Sequence, residues 1–383
     1  MSEAVRADLP EHLSNSVNGS VDMKNVVVCC DGTANEFAQD RTNVVKLFYA
    51  LDHDPTRQVT FYHPGLGTME PPGALTGFAK RITRLLGKAI GYGLEADVRD
   101  AYAFVMRNFQ PDDRLFLFGF SRGAYTVRVV ASLLHMYGLI PRDNEPLVPY
   151  ALRMMTAEAK ERFKLAAQFR GTFSTACKPW FVGVWDTVSS VGWISHPLRV
   201  PYSAVNPDIA NARQAISIDE RRAFFRQNLW HEPSPATGEN PIPDVKQVWF
   251  PGVHCDVGGG YPEEQSGLAK VSLEWMLAEA HSRGLLLDKD RTDRILGKRG
   301  TDYAAPNATA DLHTSLTWKW WLAEFLPKRH HDSISGKNSW RMNLFRRRYI
   351  PPGSAVHDAA FKRGAAYLKR LPVDAVRVGS LPL

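Results

Sequence analysis

Arg114-Leu115-Phe116-Leu117-Phe118-Gly119-Phe120-Ser121-Arg122-Gly123-Ala124 is the stretch on which the reading of this chain turns. Its first residues form a short apolar run, the pattern of a strand buried on both faces. From Tyr125 to Met136 apolar side chains recur at helical spacing, with Val129, Leu133 and Met136 on one side. Strand, Gly-x-Ser-x-Gly and helix together make a nucleophile elbow, a turn so tight that only glycines fit around the serine. The turn lifts the Ser121 hydroxyl clear of the sheet, and the helix N-terminus beneath it favours developing negative charge. Ser121 is therefore predicted to be a nucleophile.

A nucleophilic serine needs a base, and the base needs a group that orients it. On α/β-hydrolase folds these follow in the order Ser, then Asp or Glu, then His. Pro179 to Trp185 reads as a buried strand that delivers Asp186-Thr187-Val188 at its tip. Val245 to Phe250 reads as another, followed directly by Pro251-Gly252-Val253-His254-Cys255-Asp256. Ser121, Asp186 and His254 thus stand in the required order. Each lies just past the C-terminal end of a strand, where open α/β sheets gather their sites. Asp256 is the alternative acid. An orienting carboxylate comes more often from a separate strand, which leaves Asp256 to tie down the turn at Gly258-Gly259-Gly260-Tyr261. The β-branched strand Asn25-Val26-Val27-Val28-Cys29-Cys30 then turns away through Asp31-Gly32-Thr33. An oxyanion hole takes one N–H from the residue after the serine, here Arg122, and a second from an early loop, for which Gly32 and Thr33 are the candidates. The other reading of that early loop is a structural turn.

Several further motifs accompany these. They are Asp31-Gly32-Thr33 with Thr42-Asn43-Val44, Tyr62 to Thr68, Gly119 to Arg128, Trp185 to Val188, Ser217 to Arg222, Gly252 to Tyr261 and Val271 to Leu277, with a weaker echo in Val356-His357 and Lys362-Arg363. The set resembles the catalytic domain of the type VI secretion phospholipase effectors, from about Asn25 onward. The resemblance implies an α/β-hydrolase-like fold, with a mostly parallel sheet flanked by helices and its nucleophile elbow at Ser121. It also implies esterase chemistry through Ser121, Asp186 and His254, a phospholipid ester as substrate, and an immunity or secretion-machinery partner. Three features depart from the pattern. Gln214 stands where a histidine is expected, the loop after Thr68 is long, and no large membrane-anchoring domain is expected after the hydrolase.

The 383 residues, 44% hydrophobic and 11% aromatic, suffice for one large domain, expected over 24–375. Residues 1–23 are polar without an apolar run and read as a flexible tail rather than a signal peptide. No stretch has the apolar length of a membrane span. Four cysteines are too few and too scattered for a disulfide framework, and Cys29 and Cys30 point to opposite faces of their strand. That balance suits a reducing cytoplasm, or export by a machine that needs no signal peptide. No Cys/His spacing marks a zinc site, and His330-His331 reads as solvated surface. No cofactor is expected.

Two regions carry positive charge. Leu75, Phe78, Ile82, Leu85 and Leu86 recur at helical spacing among Lys80, Arg81, Arg84 and Lys88, so 74–90 reads as a lid, a lipid-facing surface or a plain outer helix. From Trp318 to Pro372 there are twelve Lys or Arg against three Asp or Glu, interleaved with Trp318, Trp320, Trp321, Phe325, Trp340, Phe345 and Tyr349. That mixture suits an anionic membrane surface, with Arg346-Arg347-Arg348 facing it, before a nucleic acid. A core segment with solvated charges is the equal alternative. Other functions also stay open. A non-lipid carboxylesterase or thioesterase would use the same residues, and a binding protein could keep the fold without the activity. An aspartyl-phosphate phosphatase is excluded, because Cys29 occupies the position its nucleophilic aspartate would need.

Overall fold

The computed structural model describes residues 23–383 apart from 33–40, 66–93, 156–158, 189–191, 194–195, 198–199, 224, 232–239, 317–320, 322–323, 326–327 and 332–337. Thr33, most of the expected tail, the basic stretch 74–90, Trp318 and Trp320 lie outside the described residues. The chain runs β1 (Asn25–Cys30), α1 (Asn43–Ala50), β2 (Gln58–His63), α2 (94–108), β3 (Arg114–Phe120) and α3 (Arg122–Tyr137). It continues through α4 (Leu147–Met155), α5 (Ala159–Phe173), β4 (Pro179–Trp185), and the short strands β5 (Gly192–Trp193) and β6 (His196–Pro197). Next come β7 (Asn211–Ser217), β8 (Asp244–Phe250), α6 (His254–Gly258), α7 (Gly267–His281) and α8 (Lys289–Ile295). The last strands are β9 (Lys328–His331), β10 (Asn338–Arg341), β11 (Ala355–His357) and β12 (Val376–Val378).

Eight of these strands form one sheet in the order β12-β11-β8-β7-β4-β3-β1-β2, and every neighbouring pair in it is parallel. Parallel strands need helical crossovers, which cover both faces and make the central strands apolar throughout. The alternation is plain in β1, where Val26, Val28 and Cys30 enter one core and Val27 and Cys29 the other. The first core is closed by α2, α3, α4 and α5, the second by α1 and α7. A third, smaller cluster lies at the far edge, where Ile216, Ile218 and Trp249 meet Ile350, Val356 and Tyr367.

β1 is followed by β2 on one side, and β3 then returns to the other side of β1. The strand order therefore reverses between β1 and β3, and crevices for ligands open above such a switch point. The expected α/β-hydrolase-like architecture is present. The sequence missed β2 and β7, which carry Gln58 and His63, and Asn211, Arg213 and Gln214. Each of these is buried.

Candidate active site

Ser121 joins β3 to α3 with φ 57° and ψ −115°. A left-handed conformation in a residue with a side chain costs about 1–3 kcal/mol and persists only where the surroundings enforce it. Here they do. A Cβ at Gly123 would fall on the carbonyl oxygens of Cys30 and Asp31, and one at Gly119 on the backbone of Gly123. The helix start can therefore press against the end of β1 only without side chains there. The Ser121 N–H donates to the Trp185 carbonyl at 3.1 Å, tying the elbow to the tip of β4.

Asp186 follows that tip, is also left-handed at φ 39°, and is buried. His254 opens α6 after β8. Its Nδ1 lies 2.6 Å from Asp186 Oδ2, and its Nε2 lies 2.8 Å from Ser121 Oγ. Three residues separated by up to 133 positions thus form one hydrogen-bonded chain above the C-terminal ends of β3, β4 and β8. The ring of His254 is held between Phe120 at 4.6 Å and the edge-on Phe225 at 4.8 Å. Burial pushes the His254 imidazole below its ordinary value, more than the Asp186 carboxylate raises it, and Arg222 adds to the depression. The ring is therefore neutral at neutral pH, so one nitrogen can accept a proton from Ser121 while the other donates to Asp186.

Asp186 is surrounded by donors. Ser217, at the end of β7, gives its N–H to Oδ1 at 2.9 Å and its hydroxyl to Oδ2 at 3.1 Å. Arg348 donates to both carboxylate oxygens, the Nη2 contact to Oδ2 measuring 3.0 Å. The same guanidinium reaches Ser217 Oγ at 2.7 Å and the Phe225 carbonyl at 3.2 Å, so each of its nitrogens has an acceptor. Burial alone would raise the Asp186 carboxyl; the Arg348 charge and the His254 hydrogen bond hold it well below the usual carboxylate range. Behind His254, Glu220 accepts the His254 backbone N–H at 3.2 Å and pairs with Arg222 at 2.9 Å. Burial works to raise Glu220 too, yet Arg222, Arg348 and His254 bring it down to about 2.

The remaining sequence candidates separate here. Asp256 turns away from the His254 ring; it accepts the Val253 N–H at 2.9 Å and meets His313 Nδ1 at 2.6 Å. It is Asp186, not Asp256, that meets the His254 ring, and Asp256 holds the start of α6 rather than the glycine turn after it. Gly32 lies against Ser121, a Cβ there meeting the Ser121 Cβ at 3.3 Å, but its N–H is given to Asp31 Oδ1 at 2.6 Å. Asp31 also accepts from Thr42 at 2.6 Å and Tyr62 at 2.9 Å, so this turn is knitted into the core. Arg122 is the first residue of α3, among the helix-start amides that face away from the helix. Arg348 corrects an expectation. With its side chain 4% exposed and bound to Asp186, it cannot face a bilayer as the sequence suggested; Arg346 and Arg347 are exposed. Nothing local in Arg346-Arg347-Arg348 distinguishes the inward one. Ser217 and Glu220 belong to a motif that the sequence flagged without assigning a role. Gln214, in place of the expected histidine, is buried with its Nε2 2.9 Å from the Asn228 carbonyl.

Among the described residues no group of three His, Cys, Asp or Glu side chains is disposed to hold a metal ion, and no helix is long and apolar enough to cross a membrane. A parallel sheet with its serine elbow at the switch point defines the α/β-hydrolase-like class. Within it, the chain belongs to the family described as the T6SS phospholipase effector Tle1-like catalytic domain, whose model matches residues 24–279. The description of that family is of a phospholipase effector's catalytic domain. The chain is also similar to the uncharacterized protein YEL023C of Saccharomyces cerevisiae, 33% identical over 229 residues. The match covers 55% of this chain and only 33% of the yeast protein's length. Among solved structures, an uncharacterized protein from Pseudomonas aeruginosa is similar at a TM-score of 0.42 and 18% identity, covering 70% of this chain and 47% of the other. A Tle1 effector bound to the VgrG spike of the type 6 secretion system is similar at 0.34 and 18%, covering 64% and 52%.

Proposed function

We propose that this chain cleaves a carboxylic ester of a phospholipid, in the manner of a phospholipase A, with Ser121 as nucleophile, His254 as base and Asp186 as the group that orients it. The observation that carries the reading is the unbroken chain Ser121 Oγ, His254 Nε2, His254 Nδ1, Asp186 Oδ2, with links of 2.8 and 2.6 Å. Family membership supports the lipid substrate.

His254 removes the hydroxyl proton as Ser121 Oγ bonds to the acyl carbon, leaving an imidazolium beside the Asp186 carboxylate and an oxyanion on the former carbonyl. The tetrahedral species collapses, the ester oxygen leaves with the proton from His254, and a lysophospholipid departs. Water, deprotonated by the same ring, then releases the fatty acid and restores Ser121. The Arg122 amide stabilises the oxyanion. Gly32 can join it only if its N–H leaves Asp31, and Thr33 is the remaining candidate for a second donor. Asp186 must stay ionised throughout. Arg348 is a positioning residue: it fixes the carboxylate plane through two parallel contacts and keeps a buried anion charged.

Phospholipids, lysophospholipids, triglycerides and short nitrophenyl esters, assayed side by side, test the substrate class. The expected result is release of fatty acid and lysophospholipid from a diacyl phospholipid. Turnover confined to soluble short esters or thioesters transfers the site to a non-lipid carboxylesterase or thioesterase. No turnover of any ester by the folded protein leaves a binding protein on a hydrolase fold.

A further inference from the structure

A cavity of about 600 Å³ lies beside the site, on the backbone side of His254. That is within the range of about 300–1,000 Å³ typical of ligand pockets. Val253, which precedes His254, lines it, as does Ser315, whose hydroxyl donates to Glu220 at 3.0 Å. The cavity thus shares a wall with the supports of the His254 backbone while Ser121 stands outside its lining.

One wall is apolar. Trp321, Phe325 and Phe345 form it, with Trp321 and Phe325 each edge-on to Phe345 at 6.0 and 5.7 Å. This wall is fixed in place. The buried Glu324 carboxylate accepts from the Ala223 N–H at 2.6 Å, the Asn343 amide at 2.6 Å and the Phe345 N–H at 3.1 Å. One carboxylate therefore ties the aromatic wall to the segment after β7. Yet Trp321 and Phe325 remain 54% and 51% exposed. Large aromatic faces anchored by a buried carboxylate and still open to water are a surface without an apolar partner among the described residues.

The polar lining is cationic. Asp219 is neutralised in place, pairing with Arg370 at 2.8 Å and accepting from Tyr367 at 2.6 Å and the Gly252 N–H at 2.9 Å. His313 is engaged by Asp256 at 2.6 Å. Arg221 spends its Nε on the Phe345 carbonyl at 2.9 Å, and Arg347 has no ion-pair partner among the described residues. Two guanidinium groups and three aromatic rings lining one cavity complement one kind of occupant, an amphiphile with a phosphate and an acyl chain. Guanidinium is the group best matched to a phosphate fork.

We propose that this cavity is a binding site for an anionic phospholipid, with its phosphate on Arg221 and Arg347 and its acyl chain along Trp321, Phe325 and Phe345. The proposal rests on the phospholipase reading and extends it to a second lipid site, outside the lining of which Ser121 stands. The occupant is a bilayer neighbour of the substrate, and the lysophospholipid that the reaction releases is the other source that the test distinguishes.

Binding is measured on the Ser121→Ala protein, so that its outcome does not depend on hydrolysis. The probes are a soluble short-chain phosphatidylglycerol below its micelle concentration, the matching lysophosphatidylglycerol, the zwitterionic phosphatidylcholine of equal chain length, and inorganic phosphate. Saturable binding of the anionic lipids, weakened about tenfold or more by Arg347→Glu and by Trp321→Ala, is the expected result. Tighter binding of the lyso form identifies the product as the occupant, and tighter binding of the diacyl form identifies a bilayer lipid. Both substituted residues are exposed, so the variants keep the fold. In the Ser121 parent, the same variants raise KM for anionic phospholipid vesicles and leave kcat for a short soluble ester unchanged. Unaltered lipid binding by both variants overturns the site. So does phosphate competing as strongly as the lipid, since that is a simple ion site. If binding is lost as expected but no variant or parent hydrolyses phospholipid, the site stands and the phospholipase reading falls.

Discussion

The elbow around Ser121 and the segment around Arg348 reach the same carboxylate by opposite means. At the elbow the backbone does the positioning. Ser121 and Asp186 both adopt left-handed conformations, and Gly119 and Gly123 are required because β1, β3 and α3 touch without side chains between them. At Arg348 a long flexible side chain does it, from a stretch outside any helix or strand and beyond the residues matched by the family. Rigid elements fix the backbone that carries Ser121 and Asp186. The guanidinium supplies charge and a planar fork. The difference predicts that substitutions at the elbow abolish chemistry, whereas substitutions at Arg348 weaken and retune it.

The largest effect belongs to Ser121. Ser121→Ala is expected to lower ester turnover by about 10⁴- to 10⁶-fold, because nucleophile and base act as one unit. Its circular dichroism and melting should match the parent. Residual turnover within tenfold of the parent removes Ser121 from the chemistry. Next is the acid. Asp186→Asn should cost about 10⁴-fold by leaving His254 in the wrong tautomer. Asp256→Asn should cost far less activity, since Asp256 faces Val253 and His313. Paired kinetics in which Asp256→Asn is the more damaging would reassign the role.

Arg348→Met sharpens the comparison, because a loss of geometry and a loss of charge leave different traces. A slight misplacement of the acid can cost about 10²-fold in turnover. The pH profile reports the charge. His254 is faced by Asp186 and Ser121 at its two nitrogens, by Glu220 at its backbone, and by Arg222 nearby, with Arg348 behind Asp186. Burial lowers its pKa, so the acid limb of kcat/KM should fall below the ordinary histidine value of about 6.5. Removing the Arg348 cation favours the imidazolium, so that limb should move to higher pH in Arg348→Met. Arg348→Lys should restore much of the limb while recovering less of kcat, because an ammonium keeps the charge without the fork. An unmoved limb in Arg348→Met would reduce Arg348 to packing.

The smallest effect is expected farther out. Arg346→Glu faces solvent and should leave turnover of a soluble ester within about twofold, as surface substitutions usually do. A large loss there would show that the whole arginine run, rather than its one inward member, supports the acid.

Which parts of this were legible in the sequence follows from what each residue does when buried. The strands β1, β3, β4 and β8 announce themselves because a parallel strand covered on both faces is apolar almost throughout. β2 and β7 do not. Gln58 is spent on Asn25 and the Leu286 carbonyl, and Arg213 on Glu279 and Asp244, so polar residues that read as surface are interior and satisfied. β11 and β12 are three residues each, too short for any period to register. Ser121, Asp186 and His254 were legible together because each follows a readable strand. Arg348 was not. Charge in a sequence suggests solvent, and only the fold brings a buried carboxylate to meet it. The early loop gives the converse case: Gly32 was offered as an oxyanion donor from its position after β1, but the adjacent Asp31 carboxylate takes its N–H.

Covalent labelling reads the activation of Ser121 without a substrate. A fluorophosphonate carries a phosphorus that reacts with a serine only when that serine is activated by a neighbouring base. The parent protein should take up one adduct, and peptide mapping should place it on Ser121. Labelling should vanish in Ser121→Ala and slow by orders of magnitude in His254→Ala. A folded parent that takes no label while a reference serine esterase does, or a label that survives Ser121→Ala, would contradict the account.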